Sequence, residues 1–261
     1  MKLSSSISAI VTGGASGLGE GTARRLAASG VKVGIFDMNT EGGERVAKEI
    51  GGVFAKVDVS SNDSVDAGFA AVRAKIGQER IMVNCAGIGG GMKTASRKRD
   101  SGEILAHDPA FYARIININL IGTFLCASKS AAGMMSLEPM APDGERGAIV
   151  NTASVAAQDG QIGQVAYASS KGGILAMALP MARDLAREGI RVNTILPGFF
   201  ETPIYEQMKP EVKENLRAHV QFPNRFGTTA EYADVCAFLI ENIYINGEHL
   251  RADAGARMPP R

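Results

Sequence analysis

Three cysteines and three histidines are all that this 261-residue chain offers a disulfide or a soft metal. Cys85, Cys126 and Cys236 are isolated and odd in number, so they read as reduced thiols of a cytosol-like compartment. His107, His219 and His249 are equally scattered, no zinc-type cluster can be drawn, and no metal is expected. An excess of one charge is missing too, since 28 Lys and Arg against 27 Asp and Glu leave +1. No global field then recruits nucleic acid or an acidic membrane surface. No stretch reads as long and apolar enough to span a bilayer. A strand reached by Ile7 leaves no room for a signal peptide. No Pro/Ser-rich linker or composition break divides 1–261, so one cytoplasmic domain is expected, with neither nucleic acid nor membrane as partner.

What is present is an alternation. Short apolar, branched runs at 7–12, 32–37, 53–57, 81–84, 148–152, 191–195 and 248–252 read as strands. Helical patterns near 18–29, 41–50, 63–76, 109–135, 166–188 and 230–241 lie between or after them, with Pro180 expected to kink the fifth. Continuous apolar strands separated by helices argue a mostly parallel sheet covered on both faces. The expectation is an α/β fold, a single doubly wound Rossmann domain with seven strands. Two irregular stretches, 88–107 and 136–146, interrupt the rhythm, and loops of that length tend to be functional or mobile.

The first strand runs into Thr12-Gly13-Gly14-Ala15-Ser16-Gly17-Leu18-Gly19, and a helix follows at once. Glycines at 13, 17 and 19 let a pyrophosphate approach backbone amides at a helix amino terminus. Asp37 ends the second strand, where a carboxylate can accept bonds from ribose hydroxyls and repel a 2′-phosphate. Met38 and Asn39 follow it and Ser16 sits in the loop, so no cation is seen to welcome that phosphate, and NAD is favoured over NADP. Asp58 and Val59, and the turn Asn84-Cys85-Ala86-Gly87, fall at the same sheet edge and could flank adenine and ribose.

Tyr167 and Lys171 stand four apart in Tyr167-Ala-Ser-Ser-Lys171, which on a helix puts phenol and ammonium on one face. A cation held nearby favours the phenolate and moves it toward useful acid/base range. Ser154, thirteen residues upstream and just past a strand, could hydrogen-bond an alcohol or carbonyl oxygen while Tyr167 exchanges its proton.

Together these residues resemble the short-chain dehydrogenase/reductase family over the whole chain, through 12–19, Asp37, 84–87, Asn119, Ser154, Tyr167, Lys171 and Pro197-Gly198 with Thr202. Cys85 departs from the family pattern, which usually has a second Asn there. The segments 151–157, 160–167, 182–185 and 246–258, with insertions at 93–103 and 138–146, look like the type II 3-hydroxyacyl-CoA dehydrogenases, also described as 17β-hydroxysteroid dehydrogenases. The resemblance implies a homotetramer, NAD, and oxidation of short 3-hydroxyacyl-CoA thioesters. It further implies that Lys171 holds the nicotinamide ribose, that Asn119 holds a water passing the proton onward, and that Phe200 and Thr202 close over the carboxamide. Gln161 and Gln164 could orient a thioester, and Lys93, Arg97, Lys98 and Arg99 could meet the phosphates of CoA. Met177 and Met181 read as helix packing. The rivals are a steroid or other secondary-alcohol dehydrogenase, a non-catalytic NAD-binding scaffold, and a methyltransferase, which would need no Ser/Tyr/Lys set.

Overall fold

Strands whose every residue is buried, such as β1 (Ser8–Thr12) and β4 (Ile81–Asn84), require cover on both faces, and the chain supplies it. The computed structural model describes residues 1–203 and 208–260. Beside those two strands lie β2 (Lys32–Asp37), β3 (Val53–Lys56), β7 (Gly147–Thr152), β8 (Ile190–Pro197) and β9 (His249–Ala252). They form one sheet in the order β3-β2-β1-β4-β7-β8-β9, with every pairing parallel.

Helices α1 (Gly17–Ala28), α2 (Thr40–Ile50), α3 (Asn62–Ile76), α4 (Pro109–Ile116), α5 (Gly122–Met134), α6 (Val165–Asp184), α7 (Pro210–Arg217) and α8 (Thr229–Glu241) complete the framework. One face of the sheet buries Val11, Ile35 and Val83 with Leu26 and Tyr232 from α1 and α8. The other buries Ile10, Met82, Ile149 and Val192 with Phe69, Ala127 and Met181 from α3, α5 and α6. Strand order reverses at β1, which lies between β2 and β4, so a crevice opens over the carboxyl ends of β1 and β4.

Four features differ from the sequence reading. The irregular stretch 88–107 carries a two-stranded antiparallel ribbon, β5 (Ala95–Arg97) with β6 (Ile104–Ala106). The long helix expected over 109–135 is interrupted by a π turn at Asn117–Ile121, and α7 was not foreseen. Helix α6, by contrast, runs through Pro180 to Asp184 in keeping with the expectation that the proline does not end it. Finally, Pro109–Met134 does reach the length and apolarity of a membrane span, at a mean hydropathy of 1.4. That corrects the expectation that no such stretch exists. Its Asn119, Thr123 and Ser130 side chains make hydrogen bonds within the protein.

Candidate active site

The glycine turn after β1 is as tight as its sequence predicts. A Cβ on Gly19 would come within 2.2 Å of the Gly13 carbonyl oxygen, and Gly13 and Gly17 have φ of 66° and 55°. Ser16 occupies the N-cap of α1 with extended backbone, yet its exposed hydroxyl caps no helix amide. Thr12 Oγ1 accepts from the Cys85 and Ala86 amides at 3.1 Å each, pinning the β4 turn beside the glycines. The Thr202 methyl lies 3.4 Å from where a Gly17 side chain would begin, so the segment after β8 closes on the turn. Leu18 is half-buried and packs on the core below.

Asp37 stands at the rim with both oxygens accepting backbone amides, from Ala15 at 3.0 Å and Asn39 at 2.9 Å. Each oxygen keeps a further lone pair for a ribose hydroxyl. Contrary to expectation, a cation does approach: Arg45 reaches the Ala15 carbonyl at 3.5 Å, but Glu20 binds it at 2.9 and 3.2 Å. Asp58 uses Oδ1 to hold the Ser60 amide and hydroxyl at 2.9 and 2.6 Å, while Val59 is buried against Gly122. Phe200 needs correction. Its ring is 6% exposed and edge-on to Tyr232 at 5.9 Å, so only its backbone can line a nucleotide site.

Ser154 follows β7, and Tyr167 and Lys171 lie on the first turns of α6. The Ser154 hydroxyl faces the Tyr167 phenol and favours its ionised form, which draws the phenol's acidity toward the useful range. Burial is the larger effect and pushes the phenol above its usual value. The expected depression by Lys171 is therefore not what the folded chain displays. Lys171 Nζ lies 5.8 Å from the Tyr167 ring centre and donates to the Thr152 carbonyl at 2.8 Å. Burial pulls the Lys171 ammonium down to about 8, so it is easily neutralised.

Asn119 sits fully buried in the π turn. Its amide is committed: Oδ1 accepts from the Ile88 amide at 2.8 Å, and Nδ2 donates to the Ile88 carbonyl at 2.9 Å and to Ser170 Oγ at 3.0 Å. Ser170 in turn donates to the Tyr167 carbonyl at 2.7 Å, so Asn119 braces the helix that carries the phenol.

On the substrate side, Gln164 Oε1 accepts from the Gln161 amide at 3.0 Å, and Gln161 Nε2 donates to the Pro259 carbonyl at 3.0 Å. Gln164 thus braces its own loop, and Gln161 ties that loop to the tail after β9. The ribbon springs from this neighbourhood, with the Met92 amide donating to the Gly163 carbonyl at 2.8 Å. Within it Lys98 pairs with Glu103 at 2.7 Å and Arg97 donates to the Gly102 carbonyl at 3.0 Å. The other insertion, 138–146, precedes β7 and lies at the amino end of the sheet, away from the crevice over the carboxyl ends. Met177 and Met181 are packing residues.

Sequence reasoning missed Tyr232. From α8, fully buried, its hydroxyl lies 2.6 Å from Thr152 Oγ1 and 3.7 Å from Cys85 Sγ, while its ring meets Phe200. One phenol therefore links the ends of β4, β7 and β8, including the residue whose carbonyl holds Lys171. No local spacing announces it.

The arrangement joins a dinucleotide cradle to a hydroxyl pair beside a buried amine, which is chemistry for moving a proton on and off an alcohol oxygen. Known proteins agree with it. A family model described as enoyl-(acyl carrier protein) reductase matches residues 13–257. The 3-hydroxyacyl-CoA dehydrogenase type-2 of Bos taurus is 46% identical over 254 residues, 97% of this chain and 95% of its own. The (3R)-3-hydroxyacyl-CoA dehydrogenase of Mus musculus is 32% identical over 266 residues, covering 96% of each chain. The crystal structure of 3-hydroxyacyl-CoA dehydrogenase type-2 from Mycobacterium avium superposes with a TM-score of 0.89 at 43% identity over 98% of both chains. This chain belongs to the short-chain dehydrogenase/reductase family of oxidoreductases.

Proposed function

We propose that this chain oxidises short 3-hydroxyacyl-CoA thioesters with NAD. The observation that carries the reading is the Ser154 and Tyr167 hydroxyls brought together beside buried Lys171, on a chain 46% identical to a type-2 3-hydroxyacyl-CoA dehydrogenase. Gly13, Ser16, Gly17 and Leu18 would receive the pyrophosphate and Asp37 the adenosine ribose. Asp58, Val59 and the Cys85 turn would flank the adenosine, and Thr202 with the Phe200 backbone would close on the carboxamide. When bound, NAD supplies the hydride acceptor. Ser154 holds the substrate oxygen, and Tyr167 takes its proton. Lys171 holds the nicotinamide ribose and, while protonated, stabilises the phenolate.

A phenol held above its ordinary value gives up its proton reluctantly near neutrality. Oxidation, which needs Tyr167 as base, therefore gains as pH rises, whereas the reverse reduction, which needs it protonated, runs well near pH 7. Exposed apolar residues on opposite faces of the sheet, Ile121 and Phe124 on one and Phe238 and Tyr244 on the other, suit the two interfaces of a homotetramer. Three free cysteines suit a reducing compartment such as the cytoplasm.

The test compares a 3-hydroxybutyryl group on CoA and on a truncated thiol with a hydroxysteroid, following NADH. The CoA thioester should give the highest kcat/KM, with the cationic ribbon contributing through remote binding. A steroid that surpasses both would replace the thioester reading. Tyr167→Phe should retain NADH affinity and lose roughly 10²–10⁴-fold in turnover. A variant within about twofold of the parent would remove Tyr167 from the mechanism.

A further inference from the structure

The loop joining Ser154 to Tyr167, the two residues that carry the reacting hydroxyls, contains no regular structure from Asp159 to Gly163. A guanidinium supplies its charged tie to the framework. Arg251, on β9, donates from Nη1 to Gln158 Oε1 and from Nη2 to Asp159 Oδ2, each at 2.7 Å. The same group donates from Nε to Asp253 Oδ2 at 2.7 Å and from Nη2 to the Ala256 carbonyl at 3.0 Å.

The chain after β9 turns back toward this loop. Ala254 has φ of 51°, the one positive value outside glycine among the described residues, and Gly255 follows at 75°. That left-handed pair costs an L-residue strain and persists only where the surroundings enforce it. Beyond the reversal, the Pro259 carbonyl accepts from Gln161 Nε2 and the Pro260 carbonyl from the Ile162 amide, both at 3.0 Å. On its inner side the loop is pressed on the catalytic helix, since a Cβ on Gly160 would lie 3.3 Å from the Ala168 methyl. The bonds to the tail join neutral groups, whereas the Arg251 contacts are charge-assisted and planar.

We propose that Arg251 is a specificity-determining positioning residue, which sets the height of the 158–164 loop over Ser154 and Tyr167 and so limits the acyl length admitted. The inference rests on the 3-hydroxyacyl thioester reading above. Its physical core is that one guanidinium separates two carboxylates, Asp159 and Asp253. Without it those acids face each other, with the exposed Arg257 at 3.2 Å from Asp253 the remaining cation paired to either among the described residues, and loop and tail repel. The loop then lifts while the sheet, the glycine turn and Lys171 stay in place. Arg251 touches no reacting atom.

The experiment measures kcat/KM for 3-hydroxybutyryl-CoA and 3-hydroxyoctanoyl-CoA in the parent, Arg251→Met, Asp159→Ala and the double variant Arg251→Met/Asp159→Asn. Preference for the shorter chain should fall about tenfold in Arg251→Met, within the range one or more methylenes command in a pocket. KM for NAD should stay within about twofold. Asp159→Ala, which frees the loop but leaves Arg251 on Asp253, should move the preference the same way. The double variant, relieved of repulsion, should recover part of it. Hydrogen exchange in the 158–164 loop should quicken while that of α6 does not. Unchanged preference in folded variants that bind NAD normally would overturn the proposal, as would variants that lose the whole fold, since Arg251 would then be a stability residue. A parent protein that oxidises none of the thioesters would remove the underlying reading first, a result distinct from either.

Discussion

Arg191 enters the protein at the amino end of β8, and Lys171 reaches the carboxyl end of β7; each is 5% exposed. Arg191 donates to Glu145 at 2.9 and 2.8 Å and also to the carbonyls of Leu239, Ile240, Asn242 and Ile245, which close the end of α8. Lys171 has the Thr152 carbonyl and, among the described residues, no carboxylate. Acids divide in the same way. At the amino end Glu79 is fully buried and held by two Arg73 bonds of 2.9 and 2.7 Å and by Ser130 at 2.7 Å. At the carboxyl end Asp37 has, among the described residues, backbone amides alone. One end of the sheet saturates its charges and is chemically inert. At the other, Lys171 and Asp37 stay short of partners although Arg251 nearby is saturated, and that shortfall is what a ligand with a ribose and a reacting oxygen can fill.

The contrast breaks most easily at the saturated end. Arg191→Met takes the donor from four carbonyls and one carboxylate at once. Severing a buried pair this way costs about 3–5 kcal/mol because the remaining charge and carbonyls stay buried. Urea unfolding should record that loss, while the protein that remains folded keeps its turnover within about twofold. Should turnover collapse in step with a small change in stability, the amino end would not be the inert scaffold described above.

Much of the carboxyl end was legible because its signals are local. Gly13 to Gly19, Asp37, and Tyr167 with Lys171 depend on spacings within one turn or one strand end, and the fold delivers them to one crevice. The strands were legible for the same reason, since runs such as Ile81-Met82-Val83 state their burial in their composition. The ribbon at Ala95–Arg97 was not, because three-residue exposed strands carry no apolar pattern. Nor was the π turn, because a change of hydrogen-bond register at Asn117 leaves the helical spacing of side chains almost intact. Tyr232 and Arg251 were invisible for a third reason: their partners Thr152 and Asp159 lie 80 and 92 residues away in sequence. The acidity of Tyr167 was misjudged because an i,i+4 spacing gives direction, not the burial that prevails.

Lys171 sharpens the comparison through pH. Its folded pKa is about 8 against an ordinary 10.5, because burial penalises the cation. Between those values the unfolded chain holds a proton that the folded chain has lost, so this group makes stability rise with pH across that window. Below pH 8 both forms are protonated and the buried charge costs its full amount, on the order of 3 kcal/mol by linkage. Lys171→Met should therefore be more stable than the parent near neutrality, and it should lack the alkaline gain while losing turnover. Denaturation of both proteins at about pH 7 and 9.5 reads the difference. Parallel pH slopes would mean that Lys171 is better solvated than its surroundings indicate.

The smallest effect concerns the unsaturated acid. Asp37 is the anionic counterpart of Lys171: two amides fix the carboxylate, and the remaining lone pairs point to whatever occupies the crevice rim. Asp37→Ala should lower NAD affinity at least about tenfold, the equivalent of one charge-assisted hydrogen bond of roughly 1.5–3 kcal/mol. Affinity for NADP should fall less or rise, because the repulsion of its 2′-phosphate goes as well. Arg45 gives this a second handle. Glu20 now binds its guanidinium at 2.9 and 3.2 Å, next to the Ala15 carbonyl that borders the same rim. Adding Glu20→Gln to Asp37→Ala releases that cation toward the phosphate, so the double variant should favour NADP more than Asp37→Ala alone, and the gain should shrink with salt. Equal affinities for both cofactors in parent and variants would place the ribose elsewhere. A gain for NADP insensitive to Glu20 would leave repulsion by Asp37 as the whole basis of the choice.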